Sequence, residues 1–191
     1  MKKTIAILLV LVIGMVGVFA ADAILNIAAD VSSQSLIKIT DVTTGAYDFT
    51  DFVYDTFASK DDTVTSDVVI DEDNFANTDP VVVGHLNYWS NETTGLSTTV
   101  TATILKDRTA LSTNTSKIGY TVFLDSDSIV TVTNADESVT ATSATTLIAS
   151  NTATSTSGSK AIGVTVDAND YRLALASDDY TATITFNYTA N

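Results

Sequence analysis

Tyr180, Ala182, Ile184, Phe186 and Tyr188 alternate with Thr181, Thr183, Thr185, Asn187 and Thr189, so apolar side chains take one parity and polar ones the other. A strict period of two predicts a long closing strand, buried on one face and wet on the other. Ile118, Tyr120, Val122 and Leu124 share a face in the same way, as do Ile162, Val164 and Val166, and Leu96, Thr98, Val100 and Ala102. Asp125-Ser126-Asp127, Asp167-Ala168-Asn169-Asp170 and Asp178-Asp179 punctuate these runs as turns. Further strands are predicted over residues 36–42, 64–70, 81–89, 129–133 and 171–175. Many short strands with Asp, Asn, Ser and Gly turns predict an all-β fold, an immunoglobulin-like antiparallel β-sandwich.

Two stretches fit the alternation less well. Tyr47, Phe49, Phe52, Tyr54 and Phe57 step by two, three, two and three, which scatters them around a helical wheel. They are expected in two short strand pieces broken at Thr50-Asp51. Residues 141–160 carry little apolar weight beyond Leu147 and Ile148, and are expected to form a weak edge strand followed by a mobile loop at 155–159.

The apolar pattern at the start of the chain is of another kind. Lys2 and Lys3 precede an uncharged, mostly apolar run to Ala20, and Ala21-Asp22-Ala23 follows. This is the layout of a bacterial secretory signal, with cleavage expected after Ala20 or Ala23. The alternative is an uncleaved anchor, but the run lacks the basic flank of a stop-transfer segment and is just short of a comfortable membrane span. Residues 1–23 are therefore expected to be a signal peptide and residues 24–191 a single domain. The expected location is the periplasm, cell surface or exterior, with membrane contact only through the signal segment during export.

Composition narrows the function classes. The chain carries 23 acidic against 9 basic residues, a formal net charge of −14. Such a surface repels nucleic acid and anionic lipid, both of which are bound with Lys and Arg. There is no cysteine, which excludes disulfides, zinc-thiolate sites and thiol catalysis. Threonine fills roughly one position in six, favouring strands over helices.

Candidate chemistry is sparse. His85, the single histidine, sits in an apolar strand-like run, and no serine lies in a nucleophile-elbow pattern. Acidic clusters at Asp61-Asp62, Asp71-Glu72-Asp73, Asp125/Asp127 and Asp178-Asp179 offer oxygens to calcium but better suit turns and solubility. Asp71-x-Asp73 opens like a calcium loop but continues with Phe75 and Ala76 where a ligand and glycine belong. No enzyme activity, cofactor or metal site is expected. Tyr88 and Trp89 are adjacent, so in a strand they point to opposite faces, one into the core and one accessible. An exposed ring there could stack on a sugar, which makes a secreted carbohydrate-binding module the alternative reading.

The segment 179–188 resembles the closing strand of bacterial fimbrial subunits and spore-coat-U-like secreted proteins, and Val83-Gly84-His85-Leu86 through Ser90-Asn91 to Gly95 is similar to a hairpin of such surface sandwiches. The resemblance implies a structural or adhesive building block of the cell envelope whose subunits join by strand addition. Its partners would be copies of itself or related subunits, with glycans as the alternative. In that scheme Leu25, Ile27, Ala29 and Val31, which share one parity, are a candidate strand-exchange segment; the same residues could equally be the domain's own first strand.

Overall fold

The alternating segments pair into antiparallel ladders in a computed structural model, which describes residues 34–52, 57, 79–107, 115–150, 155–176 and 180–190. In chain order the strands are β1 Ser35–Thr40, β2 Val81–Ser90, β3 Leu96–Thr103, β4 Leu105–Asp107, β5 Lys117–Ile118, β6 Tyr120–Leu124 and β7 Asp127–Val132. They continue with β8 Ser138–Thr140, β9 Thr145–Ile148, β10 Thr156–Val166, a short helix α1 Ala168–Leu173, β11 Tyr180–Thr181 and β12 Ile184–Ala190. One sheet runs β1-β2-β10-β6-β7 and a second runs β12-β3-β8, with β9 also paired to β3. All of these pairings are antiparallel.

The fold is the all-β antiparallel sandwich that the period-two segments predict. Leu86, Val122, Leu124, Val130, Val132, Ile162 and Val164 from the five-stranded sheet meet Leu96, Val100, Ala102 and Phe186 from the other in one buried cluster. Each of these Leu, Ile, Val and Phe side chains contributes about 1.5–3 kcal/mol by leaving water. Several threonines take the opposite parity: Thr101 bonds Thr140 through the hydroxyls at 2.9 Å, and Thr121 bonds Thr131 at 3.0 Å, both pairs exposed, whereas Thr98 lies on the core parity and is fully buried.

A three-stranded patch, β11-β4-β5, joins the two sheets. β4 follows β3 after Ile104, and β5 runs through Gly119 into β6, so the chain turns from one ladder to the other at that residue. The corner is held from both sides: the Gly119 amide donates to Asp170 Oδ2 at 2.9 Å, and its carbonyl accepts from the Asp167 amide at 2.8 Å. A Cβ on Gly119 would stand 2.9 Å from the Val132 carbonyl oxygen. Only glycine fits that approach.

Several expectations are corrected. Residues 155–159 are not a loop, because Thr156, Ser157, Gly158 and Ser159 open β10 and pair with Ser90, Trp89, Tyr88 and Asn87 of β2. The ladder needs backbone partners rather than apolar side chains, and β2 supplies them. Residues 171–175 are not a strand: α1 occupies most of them, with the Asp167 carboxylate accepting from the amides of Asn169 and Asp170 at 2.9 Å each as its N-cap. The closing strand is broken at 182–183, where the Thr183 amide bonds Thr103 Oγ1 at 2.8 Å instead of a backbone carbonyl. Residues 47–52 hold irregular backbone where strand pieces were expected, although the break at Thr50-Asp51 is a turn. The strand expected over 64–70 lies outside the described residues, as do residues 1–23.

Candidate functional site

Two places on the sandwich are candidates: the neighbourhood of Tyr88 and Trp89 in β2, and the edge of β12 that no described strand pairs with. In β2 the two aromatics do point to opposite faces, but neither is an open platform. Tyr88 stands opposite Ile37 and packs half-buried against the core. Its ring fills the space over Gly158, where a Cβ would come within 2.5 Å of the phenol oxygen.

Trp89 faces outward and is covered by the segment after β1. Its ring stacks on Phe52, with centroids 5.3 Å apart and planes 16° apart. Phe52 in turn contacts Phe49 and Phe57, and Tyr47 meets both Phe49 and Phe57 edge-on. The two-three-two-three spacing thus builds an aromatic strap across the outer face of β1 and β2. Tyr54, the remaining aromatic of that run, lies outside the described residues.

Asn87, fully buried beneath the strap, fastens it. Its Oδ1 accepts from the Tyr47 amide at 2.8 Å, and its Nδ2 donates to Thr40 Oγ1 at 3.0 Å and to the Lys38 carbonyl at 3.3 Å. Thr40 Oγ1 also bonds the Gly45 carbonyl, at 2.5 Å. One amide side chain therefore satisfies backbone groups of the strap and of β1 together, as a buried polar group must. Nothing local in the sequence marks Asn87 for this role; its importance follows from β1 lying beside β2.

The β12 edge has a different character. Its seven residues pair with β3 without a register shift, from Ile184 opposite Ala102 to Ala190 opposite Leu96. Among the described residues no strand pairs with its other side. Ile184 is half-buried and Phe186 buried, but Tyr188, on the same parity, is 47% exposed. The strand contains no charge, no proline and no glycine.

Other sheet edges are better protected. Lys38 stands in β1, Asp127 opens β7, whose ladder with β6 carries a bulge at Val122/Phe123, and the β8–β9 edge is interrupted between Thr140 and Thr145. Charges, bulges and short strands are the usual means of blunting an edge. β12 lacks them.

The charged residues form structural contacts. Glu137 pairs with Lys106 at 3.5 Å and with Lys117, and these contacts hold its carboxyl below the usual range, the Lys117 hydrogen bond first. Asp170 Oδ1 accepts from Asn134 Nδ2 at 2.7 Å. Tyr120, whose hydroxyl donates to the Thr103 carbonyl at 2.6 Å, has its ionisation pushed up by burial. Asp125 clamps β10, and no group of three or more His, Cys, Asp or Glu residues among those described could hold a metal. His85 stands between Thr40 and Ala161 on the neighbouring strands, with no carboxylate bonded to it among the described residues.

The candidate strand-exchange residues Leu25, Ile27, Ala29 and Val31 lie outside the described residues, as do the acidic clusters at 61–62, 71–73 and 178–179. No described helix is long and apolar enough to cross a membrane. No protein-family model, curated protein or solved structure matches the chain.

Proposed function

We propose that this chain is an exported, non-catalytic module of the cell envelope or surface, structural or adhesive in role, that joins other copies or related subunits by adding strands to an open sheet edge. The observation that carries this reading is the β12 edge: seven neutral residues in unbroken register, among them a core-parity tyrosine, Tyr188, left 47% exposed. An edge of that kind is a template for another strand unless something blocks it. The acidic charge and the secretory layout of residues 1–23 support a soluble module outside the cytoplasm.

Carbohydrate binding at Tyr88 and Trp89 has less support, because the first ring packs on the core and the second already stacks on Phe52. The assembly reading is tested by light scattering after size exclusion, over a concentration series, on the full chain and on a variant lacking residues 23–31. Association through strand pairing yields species larger than a monomer at high concentration. A monomer at every concentration, in both proteins, would count against it. Cell fractionation tests the location separately.

A further inference from the structure

The β12 edge is complementary to itself, and we infer that its partner strand is β12 of a second copy, paired antiparallel about a twofold axis through Asn187. The inference rests on the strand-addition reading above and names the occupant of that edge. An isologous interface requires one surface to fit its own rotated copy. Centring the pair on Asn187 sets Ile184 opposite Ala190 of the second copy, Thr185 opposite Thr189, and Phe186 opposite Tyr188. All seven residues are then used, and neither strand overhangs.

The chemistry at each position suits that register. Phe186 and Tyr188 lie on the core parity, so the two cross-strand pairs are aromatic and cover the exposed tyrosine. On the wet parity Asn187 meets Asn187 at the axis, where two amides can bond each other. A chain of net charge −14 should repel its own kind, yet β12 brings no charge to the contact. Pairing there joins the two smaller sheets into one sheet running β8-β3-β12 and on into the second copy's β12 and β3. A seven-residue edge contact is smaller than a standard protein interface, so the dimer should be weak, with dissociation at micromolar concentrations or above.

Two independent experiments read the register. The first uses Asn187→Lys and Asn187→Asp, exposed outer-face changes that place like charges directly opposite each other across the axis. Each variant alone should sediment as a monomer at concentrations where the unaltered chain is dimeric, and an equimolar mixture should recover the twofold mass. The second exploits the absence of native cysteine. Opposed residues of an antiparallel pair have Cα atoms about 4.5–5.5 Å apart, within disulfide reach, so Asn187→Cys should oxidise to a covalent dimer. Thr99→Cys, on the central strand of the same face, should not.

A mixture that stays monomeric, with no cross-link at position 187, would overturn the inference. If association then persists and is lost on deleting residues 23–31, the added strand comes from that segment and the assembly reading stands. If no association is found in any protein, both readings fall.

Discussion

Asp125 and Lys160 form an ion pair at 2.8 Å that staples the β6–β7 turn to the neighbouring strand β10. The same carboxylate accepts from the Ala161 amide at 3.0 Å, and the Ala161 carbonyl takes the Asp125 amide at 2.8 Å. Asp125 is also the one described non-glycine residue with positive φ, at 55°. The pair raises the Lys160 ammonium above its ordinary pKa, chiefly through the hydrogen bond it donates to Asp125. Turn geometry and strand docking thus converge on one side chain.

Asp125→Ala should therefore destabilise the fold by about 1–2 kcal/mol, through the lost backbone hydrogen bond and the poorer tolerance of alanine for the left-handed conformation. The exposed half of the salt bridge adds little. Asp125→Asn should lose less, since asparagine accepts the Ala161 amide and tolerates the same φ. Urea denaturation of the two variants ranks them; equal losses would count against the clamp.

Asn87→Ala leaves the Tyr47 amide without its side-chain acceptor beneath the strap. A cost of about 1–3 kcal/mol is expected from a group of this kind. Trp89 is the only tryptophan, so its emission reports the strap directly. The variant should shift that emission to the red in native buffer as Phe52 lifts from the indole. Unchanged fluorescence would mean that the aromatic contacts hold the segment without Asn87.

Gly95→Ala should be among the most damaging single-methyl changes. Gly95 has φ 94°, and an added Cβ would overlap the Ile148 carbonyl oxygen and stand 2.6 Å from that of Ala149. Backbone strain and steric overlap together should cost about 2–4 kcal/mol, read as a lowered melting temperature.

Acid should remove one local contribution to stability. Asp136 Oδ2 accepts from the Thr133 hydroxyl at 2.7 Å and its amide at 3.0 Å, and these bonds, the hydroxyl first, lower its pKa, with Lys117 adding a smaller pull. A carboxylate with a folded pKa below its unfolded value stabilises the fold above the unfolded pKa, and loses that contribution as pH falls through the folded one. The gap in stability between the unaltered chain and Asp136→Asn should be present at pH 6 and shrink below about pH 4. A gap independent of pH would show that the charge has no part in it.

Most strands were legible because their residues alternate: Tyr120, Val122 and Leu124 are buried, as are Leu96, Val100 and Ala102, each on the parity the sequence gives them. Residues 155–159 were not legible, since Ser157, Gly158 and Ser159 carry no apolar signal and acquire their strand only from β2. The helix at Ala168–Leu173 did leave a mark, Asp167 as a capping residue, but it was read as a turn. Of the candidate site, the uncharged alternation of 184–190 was visible, whereas its place at an edge was not.

Side-chain parity is a local property: it follows from the pleat of each strand, so the chain alone determined the all-β class, the outward threonines and the apolar interior. Strand neighbours are a long-range property, chosen by which ladders close around one core. The burial of Asn87 beneath the strap, the stacking of Trp89 on Phe52 and the exposure of Tyr188 depend on residues far apart in sequence being brought side by side. Only the tertiary structure decides them.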